Sequence, residues 1–189
     1  YTSIALPAMS NANPNSNNTV LIRQLSSADA NDVADYRAIR LAALKDSPDA
    51  FGSTYEAEAG LSTEAFAERL ATTIVLGAYA GTGSDVGIVG MIGFKQQTIA
   101  KLAHKGFLWG FYVAPAARGR GVGVALVDRI VAAATDLVQQ LTLSVVRGND
   151  AALALYERCG FETYGAEPRA LKSTTGYADE VLMVRFLHG

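Results

Sequence analysis

The sequence predicts an α/β fold (α+β mixed), one mixed β-sheet covered by helices on both faces. Two observations carry this. Strand-like runs alternate with helix-patterned segments, in the order strand, two helices, a run of strands, helix, strand, helix and closing strands, and crossover helices of that kind join parallel neighbours. The chain has 189 residues, 50% hydrophobic and 18% charged, which suffices for one core. No internal repeat or linker divides residues 19–189, so they are expected to form a single domain.

Residues 1–18 stand apart. The run Ser10 to Asn18 is polar and low in complexity, and the segment is expected to be a flexible tail. The apolar run Ile4 to Ala8 is too short and lacks the basic flank of a signal peptide. From there Thr19 to Leu25 reads as a strand. Ala28 to Lys45 repeats apolar residues at Val33, Tyr36, Ile39 or Arg40, Ala43 and Leu44, near a helical period, with Asp29 or Ser27 as cap. Ser47 to Gly52 breaks that helix, and Ser62 caps a second one through about Ala71. Thr73 to Tyr79 and Val86 to Gln96 are the arms of a hairpin around Gly81 to Asp85. Phe107 to Val113 is the next strand, closed by Pro115. A long helix follows with an apolar stripe at Val122, Leu126, Ile130, Ala133 and Leu137. Leu141 to Val145 alternates as a strand. Asn149 opens a short helix that ends at Gly160, and Phe161 to Tyr164 and Asp179 to Leu187 close the sheet.

Composition narrows the function. A formal net charge of −2 gives no general electrostatic reason to expect nucleic acid or an anionic membrane as partner. One cysteine, Cys159, excludes an internal disulfide and a multi-cysteine metal site, so no metal is expected and a reducing, cytoplasmic location is allowed. No apolar run approaches the ~18–20 residues of a membrane-spanning helix.

The chemistry concentrates between the strand ending at Val113 and the long helix. Arg118, Gly119, Arg120, Gly121 and Gly123 form a glycine-rich turn at a helix start. Such a turn leaves backbone N–H groups unpaired, lets a ligand approach the main chain, and adds the positive end of the helix dipole. That is an anion cradle suited to a pyrophosphate. The P-loop pattern is absent, because no Lys-Ser or Lys-Thr follows these glycines, and the dinucleotide-fold glycine spacing is not met.

Arg118-Gly119-Arg120-Gly121-Val122-Gly123 matches the pattern [Q/R]-x-x-G-x-[G/A], and further along Asn149, Ala152, Tyr156, Gly160 and Phe161 match N-x-x-A-x-x-x-Y-x-x-x-G-F. With these two blocks in this order, the chain resembles the GNAT superfamily of N-acetyltransferases from about residue 20 to 187. The resemblance implies a twisted sheet splayed between its fourth and fifth strands, with acetyl-CoA as co-substrate in the gap. The pantetheine arm would pair with the main chain of Phe111, Tyr112 and Val113. The pyrophosphate would rest on Arg118, Gly119, Arg120, Gly121, Val122 and Gly123. Asn149 would cap its helix and touch the cofactor, and Ala152 would be small where the cofactor passes. Acetyl transfer would go directly to a primary amine of a small molecule or amino acid. A protein or peptide acetyltransferase and a non-catalytic acyl-CoA sensor are the other readings, and a homodimer is compatible with the resemblance.

Amide formation needs a deprotonated amine, aligned reactants, donors for the oxyanion and an acid for the leaving thiolate. Tyr156 is the expected acid, since a phenol with a pKa near ~10 is protonated at neutral pH. Arg118 and Arg120 can add charge opposite phosphates. No carboxylate stands on the run Leu108 to Tyr112, where many family members carry their base. Glu56, Glu58, Asp179, Glu180, His104 or a water chain are candidates, and none is assigned. Phe51, Tyr55, Glu56 and Glu180 are the expected acceptor-side residues, as apolar walls and attractors of an ammonium group. Cys159, near a helix C-terminus, reads as core.

Overall fold

Asp29 accepts a hydrogen bond from the Asn31 amide at 2.9 Å and starts the first helix, α1 (Ala30–Asp46). The computed structural model containing it describes residues 20–188, so the expected tail lies outside the described residues. The elements that follow β1 (Leu21–Gln24) and α1 are α2 (Tyr55–Ala59), α3 (Thr63–Thr72), β2 (Ile74–Ala80), β3 (Gly87–Gln96), β4 (Lys105–Val113), α4 (Val122–Ala134), β5 (Gln140–Val146), α5 (Asp150–Arg158), β6 (Glu162–Ser173) and β7 (Gly176–Phe186). The seven strands found among the described residues lie in one sheet of order β1-β2-β3-β4-β5-β7-β6. Only β4 and β5 run parallel; the other neighbours are antiparallel.

Helices cover both faces, as the sequence predicts. On one face α1 and α3 bury Val33, Tyr36, Ile39, Ala43, Phe66 and Leu70 against Val75, Tyr79, Met91 and Tyr112. On the other, α4 buries Val122, Leu126, Val127, Ile130, Val131 and Ala134 against Leu76, Ala78, Ile92, Leu108 and Leu141, and Tyr156 of α5 joins this core. A fully buried leucine or isoleucine contributes about 1.5–3 kcal/mol, so the α4 stripe anchors the helix firmly. The stripe differs from the expected one at its end. Ala134 rather than Ala133 is buried, and Leu137 lies past the helix.

Three further differences have local causes. The helix α2 was not expected, because five residues are too few to show a period; Thr54 caps it by accepting from the Ala57 amide at 3.2 Å. Ser62 occupies the cap position of α3 but makes no capping bond with its side chain. The last hairpin is far longer than expected. Polar residues on both faces mask the alternation of β6, and the register shifts between Glu167 and Leu171, where Arg169 takes a left-handed φ of 56°. Among the described residues no helix is long and apolar enough to cross a membrane.

Candidate active site

The sheet opens where β4 meets β5. Their pairing runs only from Lys105–Phe107 to Gln140–Thr142, and beyond it β5 stays on β7 while β4 stays on β3. The expected splay between the fourth and fifth strands is therefore present, and its walls are the C-terminal halves of β4 and β5.

A bulge in β4 sits in this gap. Gly93 pairs with Trp109 and Met91 with Tyr112, so β4 spends one residue more than β3 over the same span. Gly110 takes the left-handed φ of 65° that this requires. The extra residue re-phases the strand. Trp109 and Tyr112 face the α1–α3 side, while Leu108 and Val113 face the α4 side. Ala114 donates to the Val89 carbonyl at 2.8 Å, so by antiparallel alternation the main-chain groups of Val113 turn away from β3 and toward the gap.

The glycine turn closes one end of the gap. Gly119 and Gly121 have φ of 72° and 80°, where side chains are disfavoured, and a Cβ on either would point into open space. Gly121 is the N-cap of α4, and no side chain caps the helix. The first intrahelical bond from this end runs from the Ala125 amide to the Gly121 carbonyl at 3.0 Å, which leaves the preceding N–H groups without partners in the helix. Gly123 has a different reason. A Cβ there would come within 2.7 Å of Leu155 Cδ1 and 3.1 Å of Phe111 Cζ, so the ends of these side chains would have to give way where α4, α5 and β4 meet.

These elements line a groove of about 510 Å³. Phe111, Tyr112, Val113, Arg118, Gly119, Gly121, Val122, Gly123, Asn149 and Ala152 all contribute to its wall, as does Phe51 from the acceptor-side set. Arg120 is exposed and outside that wall. Arg158, at the end of α5, lines it and was not singled out from the sequence. Arg118 does more than add charge. Its Nε donates to the Val113 carbonyl at 2.8 Å and its Nη2 to Asp46, and this hydrogen bond holds the Asp46 carboxyl below the ordinary carboxylate range. Asn149 Oδ1 accepts from the Ala152 amide at 3.3 Å and caps α5.

Tyr156 is buried among aromatic rings. Its centroid lies 5.7 Å from Phe111, which lines the groove, and 5.6 Å from Phe161. Burial pushes the phenol well above its ordinary pKa, with a smaller contribution from Cys159, so it is protonated at neutral pH. Cys159 is buried, and burial raises its thiol too.

On the other side of β4 lies a cavity of about 660 Å³, lined by Arg40, Ser53, Glu58, Arg69, Lys95, Phe107 and Trp109 among others. Arg40 donates to Glu58 through Nε and Nη2 at 3.0 and 2.7 Å, and Arg69 Nη1 donates to it at 2.9 Å. Burial opposes ionisation of Glu58, but these hydrogen bonds outweigh it and hold the carboxyl at about 2. Glu58 is thus a fixed anion and a poor proton acceptor. Among the described residues it is the one carboxylate in either wall, and no histidine lines them. His104 precedes β4 by one residue and lies about 20 Å of strand from Gly110.

Tyr55, Glu56 and Glu180 line neither cavity. Lys45 Nζ lies 4.2 Å from the Tyr55 ring, Glu56 is exposed on α2, and Glu180 pairs with Val146 and Glu167 in the sheet. The loop after α1 does reach the last hairpin: a Cβ on Gly52 would sit 3.8 Å from Leu171 Cδ2. The pairing of Glu58 with Arg40 was not legible, since eighteen residues separate the two. Arg40 itself had a signal: it falls on the buried stripe of α1, where a charge needs a partner.

Comparison with solved structures gives the same fold. YncA from Salmonella typhimurium, solved with its cofactor acetyl-CoA, superposes with a TM-score of 0.73 at 22% identity, over 92% of this chain and 96% of that one. The ribosomal-protein-alanine N-acetyltransferase from Brucella melitensis gives 0.72 at 24% identity, over 88% and 99%. A GNAT-family acetyltransferase from Streptococcus pneumoniae gives 0.72 at 22%, over 90% and 99%. At these identities the likeness is one of fold. No curated protein matches the chain by sequence. The model of the acetyltransferase (GNAT) family matches residues 38–161, from within α1 through the glycine turn to Phe161. The gap in the sheet, the uncapped helix behind it and this match agree, and the chain belongs to the GNAT family of acetyltransferases.

Proposed function

We propose that this protein is an acyl-CoA-dependent N-acetyltransferase that moves the acetyl group of acetyl-CoA directly to a primary amine of a small molecule or amino acid. One observation carries the reading: the uncapped N-terminus of α4, with Gly119 and Gly121 in left-handed conformations, lines one groove with the end of β4, the strand edge that β5 leaves open, and with α5. The fit to a diphosphate is chemical. Partnerless N–H groups, a helix dipole and open space above two glycines are what such a group needs.

The residues divide the work. Val122, Gly123 and the turn before them hold the diphosphate. The main chain of Phe111 to Val113 pairs with the pantetheine arm along the strand edge that β5 leaves open. The re-phased main chain at Gly110 and Phe111 supplies donors where charge builds on the carbonyl oxygen. Acetyl-CoA brings an activated thioester: the amine nitrogen bonds to its carbonyl carbon, the carbon–sulfur bond breaks, and the amine gives up a proton. Tyr156 protonates the departing sulfur. Glu58 is too acidic to take the amine's proton, so water accepts it, or the amine enters as the free base.

Calorimetric titration with acetyl-CoA, followed by a thiol-release assay across amines and peptides, tests this. Saturable binding and turnover of small amines are expected. Turnover of peptides alone would favour a protein modifier, and binding without turnover a sensor. No saturable heat would end the acyl-transfer reading.

A further inference from the structure

The cavity on the α1–α3 side of β4 carries charge that acetyl transfer alone does not call for. Three cations line it, Arg40, Arg69 and Lys95, against one carboxylate, Glu58. Glu58 already accepts from both arginines, and it balances only part of their charge. Lys95 is exposed and has no ion pair among the described residues. Arg40 spends Nε and Nη2 on Glu58, while its Nη1 lies 3.9 Å from where a Cβ on Gly110 would be, next to the bulge. Trp109 lies across Gly93 in the same wall, and its buried Nε1 has no hydrogen-bond partner among the described residues. An indole N–H is a donor only, and a buried donor without an acceptor is costly.

The cavity therefore offers an unused guanidinium N–H and carries more positive charge than its single carboxylate balances. A bare ammonium group would be repelled there. We propose that the acceptor is an amine that also carries a carboxylate. The carboxylate is held by Arg40 Nη1 and Lys95, beside the Trp109 ring in the same wall, and the amine is thereby presented at the bulge. This rests on the acetyltransferase reading and names the substrate class of that same site.

Trp109 is the one tryptophan of the chain, so its fluorescence reports this cavity directly. The full chain, with and without coenzyme A, is titrated with leucine, phenylalanine and glutamate and with the α-amide of each. A saturable change is expected for at least one acid, with its amide weaker by at least about tenfold, the loss of a hydrogen bond to a charged group. Lys95→Gln, at an exposed position, should weaken that acid about three- to fivefold and leave acetyl-CoA affinity unchanged. The idea is overturned by equal responses to acid and amide, by no response to any acid, or by indifference to Lys95→Gln. Turnover of a neutral amine as efficient as that of any of these acids would also overturn it. Loss of acetyl-CoA binding in calorimetry is a separate result, which strikes the acetyltransferase reading and not the charge of this cavity.

Discussion

Arg118 Nε donates to the carbonyl of Val113 at 2.8 Å. Since Nη2 of the same side chain donates to Asp46, one guanidinium ties together the end of α1, the end of β4 and the start of the glycine turn. The turn is preorganised by this clamp as well as by its glycines. Arg118→Ala should weaken acetyl-CoA by about three- to tenfold, the loss of one or two partly exposed polar contacts. Arg118→Lys should not restore it, because an ammonium cannot hold two acceptors in a planar fork. Titration calorimetry of the three proteins checks both statements.

Gly121 and Gly123 should fail in different ways. Gly121→Ala meets no atom but forces a left-handed backbone, at about 1–2 kcal/mol, and its methyl group stands over the cradle. A modest fall in melting temperature with a large loss of acetyl-CoA affinity is expected. Gly123→Ala drives a methyl group into Leu155 and Phe111, so stability should fall by about 1–3 kcal/mol, with affinity falling alongside. Paired thermal melts and calorimetry separate the two patterns.

Glu58 makes stability depend on pH at the acid end. Its folded pKa is lowered from 4.5 to about 2, so the ionised form favours the fold. The contribution is fully present above the unfolded value and is lost as pH falls from about 4.5 toward 2. Glu58→Gln should flatten that part of the stability curve. It should also cost about 3–5 kcal/mol at neutral pH, since Arg40 is left buried without its anion. Denaturant titrations at several pH values measure both effects.

Tyr156→Phe keeps the ring that packs between Phe111 and Phe161 and removes only the hydroxyl. Turnover should drop on the order of a hundredfold, the scale of general acid catalysis, with acetyl-CoA affinity little changed. Because burial raises this phenol, the wild-type rate should show no alkaline fall from Tyr156 up to pH ~10. Steady-state kinetics across pH for both proteins gives the answer, and an unchanged rate would remove Tyr156 from the mechanism.

The parts of this site that depend on neighbours in the chain were legible. Gly119, Gly121 and Gly123 announce a turn before a helix, and the stripe from Val122 to Ile130 shows how that helix is seated. Asn149 and Gly160 mark the two ends of α5 in the same local way. The parts that depend on contacts across the fold were not. Arg40, Glu58 and Arg69 come from three helices, and nothing in their spacing says that they share a cavity. Gly110 lies between: a glycine inside a strand pattern signals a bulge, yet its effect on Trp109 and Phe111 appears only once β3 supplies the register. The closing strands were legible at Phe161 to Tyr164 and Asp179 to Leu187, but the full length of the hairpin was hidden because most of β6 is polar on both faces and gains its strand form from pairing with β7.

The placing of β7 between β5 and β6 bears on how the chain is made. During synthesis the residues of the glycine turn and of α5 emerge well before Gly176–Phe186. Until that stretch is out, β5 has a bare edge on one side and the open gap on the other. A nascent chain halted before Gly176 would thus display an unsheltered ribbon to other chains, a recognised route to misassembly. Ribosome-stalled or truncated forms should lean on chaperones far more than the finished protein does.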